Sequence, residues 1–351
     1  MEKKPEVLAP TIPHQSNEFI NDTVYDGTKK DKLLPRAAGK GILLTMWGSF
    51  KTTFAGSPVA TGKGVLESLL PFIEIEDGNG DLRNISPSDM RRLAKAFKGS
   101  DSPALYQHNS QVLSSPTVGL FTFAGLATTQ FTCFRETVHI PFECEFAEAD
   151  FFETLLQYNG SKDNILRMDF ADSLKAIQKP SDATVVTYEN IDIKIRVEYL
   201  QTGLPGGGKR WIQRPEERNY TAATNADVIK LDSVRNLAML ELLVTYGTDK
   251  TPVTFDEAEK IYFDLLGKRG GKTVTIKNKV SLADLMYSQL SKKKQSSIID
   301  GYGIMNFING NQLQSALGND FDDLDLRVYL DSSLSQFGVG YNVRALINEV
   351  S

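Results

Sequence analysis

Apolar residues in this chain recur mainly at period two, with helical spacing confined to a few short, capped segments. YENIDIKIRVEYL alternates Ile191, Ile193, Ile195 and Val197 against Asp192, Lys194, Arg196 and Glu198, the pattern of a strand with one wet face. GKGILLTMWGSFKTTF is strand-like and broken at Gly48 and Gly56, while VLESLLPFIEIEDGNGDLRNI predicts a strand, a Gly/Asn/Asp turn and a short strand. SPSDMRRLAKAFKG predicts a helix: Ser86 caps it, Pro87 fits its first position, Asp89 supplies the third-position carboxylate and Gly99 ends it. Met90, Leu93, Ala94 and Phe97 form its apolar stripe. HIPFECEF then reads as extended, DFFETLLQYNG as a short helix with Asp150 and Glu153 at capping spacing, and DNILRMDF as a strand.

The second half repeats this order. VRNLAMLELLVTYG precedes EAEKIYFDLLGKRGGKTVTI, again strand, glycine turn and strand, and SLADLMYSQL is a helix with Ser281 at the cap and Asp284 three residues on. GYGIMNFING supplies an extended run, NQLQSALG a short helix with Asn311 and Gln314 at capping spacing, and DLDLRVYL and VRALINEV close the chain. Two such pairings in the same order indicate internal duplication, against the alternative of two unrelated α+β domains. Many short strands with few helices favour an all-β fold of two antiparallel β-sandwiches over a parallel sheet. The expected boundaries are an extended arm at 1–35, a first sandwich at 36–200, a turn-rich connector at 201–231 and a second sandwich at 232–351. The stretch 102–134 carries no charge after Asp101 and suggests an elaborated loop or a small added subdomain.

Composition agrees with a folded chain: 351 residues, 41% hydrophobic, need no staple to bury a core. Asp and Glu outnumber Lys and Arg by 44 to 39, a poor balance for wrapping nucleic acid. Cys133 and Cys144 suffice for one disulfide but not for a metal site, and free buried thiols are the expected state. The start lacks the apolar core of a signal peptide and no run reaches 18 apolar residues, so synthesis in a cytosol is expected.

Each catalytic template fails at a residue it requires. GLPGGGKR places Gly203, Gly208 and Lys209 as in a phosphate-binding loop, but Arg210 stands where Ser or Thr must reach magnesium and Pro215 follows where a helix should grow. Gly62 and Gly64 begin a G-x-G run, but Glu67 replaces its third glycine. DGNGDL imitates a calcium loop through Asp77, Asn79 and Asp81, but Leu82 replaces the required glycine and Ser88 the bidentate Glu. The histidines His14, His108 and His139 form no ligand pair, and no serine-nucleophile elbow occurs. Glu74 with Glu76, and Glu143 with Glu145, share strand faces, as sugar hydrolysis or simple solvent alternation would require. Trp211 lies among basic residues diluted by Glu216 and Glu217, and Lys292 to Lys294 read as an exposed tip. No catalytic, cofactor-binding or metal-ligating residue is assigned.

The duplicated order resembles the double jelly-roll major capsid proteins of tailless icosahedral viruses with an internal membrane, the bacteriophage type included. GKGILLTMWGSFKTTF through LLPFIEIEDGNGDLRNI looks like the opening strands of such a protein. VRNLAMLELLVTYGTDKTPVTFDEAEKIYFDLLGKRGG is similar to the opening of the second roll, and DGYGIMNFINGNQLQSALGNDFDDLDLRVYLD to its later strands. The resemblance implies two eight-stranded jelly rolls, no enzymatic activity, no cofactor and a homotrimer forming a pseudo-hexameric capsomer. Implied partners are neighbouring trimers, penton or minor capsid proteins and, weakly or indirectly, the membrane vesicle; sequence-specific nucleic-acid binding is not implied. The implied location is the capsid shell of a virion. The competing reading is a β-sandwich that binds or cleaves carbohydrate.

Overall fold

The computed structural model describes residues 16–55, 64–78, 80–98, 105–109, 129–144, 154–158, 162–177, 185–202, 208–231, 234, 236–293, 298–308, 316–317 and 321–351. The first roll contains β1 (Ser16–Val24), β2 (Lys30–Leu33), β3 (Gly39–Ala55), α1 (Val65–Leu69), β4 (Phe72–Asp77), β5 (Gly80–Ile85), α2 (Pro87–Lys98), β6 (Leu105–Asn109), β7 (Thr129–Pro141), β8 (Ile165–Asp169) and β9 (Val185–Gln201). The second contains β10 (Trp211–Tyr220), β11 (Thr224–Lys230), β12 (Leu237–Tyr246), β13 (Thr251–Pro252), α3 (Phe255–Ala258), β14 (Ile261–Arg269), β15 (Lys272–Ser281), α4 (Leu282–Lys293), β16 (Tyr302–Asn306), β17 (Asp323–Leu330) and β18 (Tyr341–Val350).

The two rolls share one strand order. In the first, sheet β1-β9-β3-β7-β6 packs against β2-β8-β4-β5; in the second, β10-β18-β12-β16 packs against β11-β17-β14-β15. The fold is therefore all-β, a double jelly roll with short helices between strands. The hairpins β4–β5 and β14–β15 occupy equivalent places, each preceded by a short helix and followed by a capped one. Ser86 accepts from the Asp89 amide at 3.2 Å and Ser281 from the Asp284 amide at 2.9 Å, the two caps expected from sequence.

Several expectations need correction. Residues 16–33 are not an arm: β1 pairs with β9, and β2 with β8. Residues 211–230 are not a connector: β10 pairs with β18 from Trp211 to Tyr220, and β11 with β17. These are the first two strands of each roll. Pro215 is accommodated because, among the described residues, β10 has β5 as its neighbour on the side away from β18, paired at Gln213. Val65–Leu69 is a helix rather than a strand. Ile191 is exposed, because the β3–β9 register shifts there, and alternation resumes with Ile193, Ile195, Val197 and Tyr199 buried. Residues 1–15, 102–104 and 110–128 of the uncharged stretch, the capping positions Asp150, Glu153, Asn311 and Gln314, Gly99 and residues 203–207 lie outside the described residues.

The cores follow from the alternation. In the first roll Ile42, Leu44 and Met46 of β3 meet Ile73, Ile75, Leu166 and Met168 of the opposite sheet in one buried cluster. In the second, Leu240, Leu242 and Val244 meet Phe263, Leu265, Leu326 and Val328. Each such side chain stabilises the fold by about 1.5–3 kcal/mol before ordering costs. Strands β12 and β18 are buried on both faces, which explains their nearly continuous apolar runs. Leu240, Leu242, Val343 and Ile347 point into their own roll; Met239, Leu346 and Val350 join the cluster of the first roll.

Candidate functional site: the joint between the rolls

The two rolls meet along a single continuous sheet. Strand β5 runs parallel to β10, with Arg83 opposite Gln213, and joins the β2-β8-β4-β5 sheet to β10-β18-β12. Arg210, just before β10, grips Asp77 at the end of β4 with two hydrogen bonds of 2.8 Å. Its backbone also exchanges hydrogen bonds of 2.8 and 2.9 Å with Ser351. Buried Arg83 lies 3.9 Å from the centre of the Trp211 ring and donates to the Phe142 carbonyl at 3.1 Å and to that of Pro141. A planar guanidinium suits this place because it stacks and hydrogen-bonds at once.

Helix α2 seals the outer face of the second roll's sheet. Its Asp89, 2% exposed, receives Arg344 of β18 through both guanidinium nitrogens, one at 2.8 Å, and Arg92 at 2.6 Å. Burial alone would raise the Asp89 pKa, but Arg344 and Arg92 hold it below the usual carboxylate range. Arg344 also pairs with Glu217 at 3.0 Å, and the Arg92 guanidinium lies 6.0 Å from the Tyr302 ring centre. Behind it, the Asn348 carbonyl accepts from Trp211 at 3.1 Å and Gln213 at 2.7 Å, which leaves its amide nitrogen to donate to Glu241 at 2.9 Å. Tyr302 donates to the other oxygen of Glu241. Burial pushes the Glu241 pKa up to about 7, although both hydrogen bonds and Arg92 oppose the rise and Asp89 adds to it. The joint is thus a polar seam set in apolar surface, suited to fixing one orientation of two rigid bodies.

Residues drawn from the failed motifs serve this joint. Asp77, from the calcium-like turn, is the partner of Arg210, from the phosphate-loop-like run. A cavity of 220 Å³ opens beside them, lined by Arg83, Lys209 and Trp211 among others, but the chain after Arg210 enters a strand and offers no helix terminus. Glu74 and Glu76 flank Arg167 of β8, at 4.0 and 2.6 Å, and so are held by a cation rather than spaced around a bond. Glu143 is buried with Lys40 at 3.4 Å, and Glu145 lies outside the described residues. His139 sits on β7 opposite Leu43, His108 on β6 opposite Cys133, and His14 lies outside the described residues. Both cysteines are free thiols; Cys144 is buried as expected, but Cys133 is exposed because it faces outward on β7. Among the described residues no group of three His, Cys, Asp or Glu could hold a metal, and no helix is long and apolar enough to cross a membrane. The Asp89–Arg344 and Glu241–Asn348 contacts escaped sequence reading; their only local signal was polar residues inside the apolar run of β18.

No protein-family model matches the chain, and neither does any curated protein. Solved structures do. A chain of Sulfolobus Turreted Icosahedral Virus matches with a TM-score of 0.63 at 13% identity, over 96% of this chain and 90% of that one. The major capsid protein of Bacteriophage PM2 matches with a TM-score of 0.57 at 10% identity, over 96% and 98%. The Faustovirus major capsid protein matches with a TM-score of 0.57 at 8% identity, over 100% and 92%. At such identities the likeness establishes the fold: this chain has the double jelly roll of viral major capsid proteins.

Proposed function

We propose that this chain is the major capsid protein of an icosahedral virus, a structural subunit without enzymatic activity. The observation that carries the reading is the end-to-end match in fold, which covers 96% of this chain and 98% of the Bacteriophage PM2 major capsid protein. In this reading three copies form a pseudo-hexameric capsomer, and capsomers tile a shell around a membrane vesicle and genome. The physical work is mechanical. Dense sandwich cores make the rolls stiff, and the buried polar seam fixes the angle between them, so that curvature is set at contacts between chains. Penton or minor capsid proteins occupy special positions of the shell, and contact with membrane is weak or indirect. Genome contact is indirect, in keeping with a formal charge of -5. The segment before Ser16 contains Pro5, Pro10 and Pro13 and no recurrent apolar stripe, and its role is contact with neighbouring capsomers.

Sedimentation velocity of the purified protein tests this. A homotrimer at micromolar concentration is expected. A chain that stays monomeric at every accessible concentration would overturn the capsomer reading and favour a single-chain binding module.

A further inference from the structure

The β2-β8-β4-β5 sheet of the first roll turns Ile73, Ile75, Leu166 and Met168 into the core, so Phe72, Glu74, Arg167 and Asp169 share its outer face. The register sets these residues in two cross-strand rows. Asn84, Glu74, Arg167 and Asp31 run across β5, β4, β8 and β2, and Phe72 stands opposite Asp169 in the next row. Lys29, just before β2, completes a cavity of 180 Å³ lined by Phe72, Glu74, Asn84, Arg167 and Asp169. Sites for drug-sized molecules run to about 300–1,000 Å³, so this one has the scale of a single ring.

The charges in it balance without saturating one another. Glu74 lies 3.9 Å from the Lys29 ammonium and 4.0 Å from one guanidinium nitrogen of Arg167, attracted by both and beyond hydrogen-bond reach of either. Arg167 holds Glu76 at 2.6 Å through its other terminal nitrogen. Phe72 supplies the apolar wall and is 44% exposed. A simple anion entering here would meet Glu74 and Asp169, and a metal ion would meet Lys29 and Arg167. A ligand whose polar groups each donate and accept meets no such opposition. Neighbouring hydroxyls have that property: one donates to Glu74 while accepting from Lys29 or Arg167. The C–H side of a sugar ring matches the negative face of an aromatic ring, which Phe72 provides.

We propose that this cavity binds a neutral hexopyranose, the end unit of a glycan. Phe72 is the platform, Glu74 and Asp169 accept from hydroxyls, and Lys29, Asn84 and Arg167 donate to them. The site lies on one roll of one chain and does not depend on the capsomer reading. On a shell that repeats it, many weak sites act together on a glycan-coated surface.

Saturation-transfer NMR on the purified full-length chain tests this, with glucose, galactose, mannose and N-acetylglucosamine as probes at about 10 mM. Transfer to the ring protons of at least one sugar is expected, with a dissociation constant of about 1 mM, ordinary for a ligand of about a dozen heavy atoms. Phe72→Ala raises that constant by at least about tenfold, whereas Phe72→Tyr, which keeps the ring, stays within about twofold. Asp169→Ala weakens binding by at least about fivefold through its lost acceptor. Thermal melting confirms that each variant is folded. No transfer from folded wild-type chain to any of the four sugars would overturn the proposal. So would binding that Phe72→Ala and Asp169→Ala both leave unchanged, or displacement of the sugar by an equal concentration of inorganic phosphate, the mark of an anion site. Each of these failures leaves trimer mass, and with it the capsomer reading, untouched.

Discussion

Two buried acids at the joint behave oppositely. Asp89 is held ionised by Arg344 and Arg92, so removing the arginine leaves a buried carboxylate short of its partner. Arg344→Leu is expected to destabilise the chain by about 3–5 kcal/mol in urea unfolding. A loss within 0.5 kcal/mol, the range of ordinary surface changes, would show that the pair does not hold the rolls together. Glu241 runs the other way. Its pKa is raised to about 7 from the ordinary 4.5, so the folded state holds a proton that the unfolded state releases. Stability contributed by this group therefore falls as pH rises from about 4.5 to 7, and is constant outside that window. Glu241→Gln should flatten this slope, since the Tyr302 hydroxyl can turn to accept from the new amide; chemical denaturation between pH 5 and 8 would show an unchanged slope if the assignment is wrong. Asp89 was legible in the sequence only as a helix cap. Its partner lies 255 residues away, and no local pattern carries that distance.

At the level of elements, hairpins and capped helices were readable because their signals are local. The β14–β15 turn has Gly270 and Gly271 both at positive φ, as a tight two-residue hairpin turn needs. The first two strands of each roll were not readable. Strand β10 runs polar and exposed from Glu216 to Asn219 and carries Pro215, so it imitates a linker. Strand β11 is likewise half-exposed, and β2 has only four residues. Such strands are specified by the neighbours they pair with rather than by their own alternation. Five-residue α1 is too short for a helical period to show. One long strand depends on a single backbone position: Gly48 has φ +144°, and a Cβ there would lie 1.7 Å from the Asp192 carbonyl oxygen. Gly48→Ala should therefore cost at least about 1–3 kcal/mol by overpacking alone, whereas Gly338→Ala, with open space around it and no positive φ, should be nearly neutral in the same thermal melts. Equal melting of the two variants would mean that the β3–β9 bulge relaxes freely.

Across the whole molecule, duplication was readable because both halves repeat turn, cap and helix in one order; the joint was not, because it is built from contacts between halves. The strands found within residues 16–33 change what a truncation can test. Removing residues through Thr23 deletes most of β1 and its pairing with β9, and should destabilise the first roll. Removing residues 2–15 should leave trimer mass and melting nearly unchanged while reducing the yield of closed particles seen by electron microscopy. Loss of the trimer on that shorter deletion would make the segment part of the capsomer itself. Cryo-electron microscopy of particles containing this chain tests its place in an assembled shell. The expected result is a closed lattice of capsomers, each with three chains and six upright rolls. Particles whose shell is built from another protein, with this chain absent from the lattice, would contradict it.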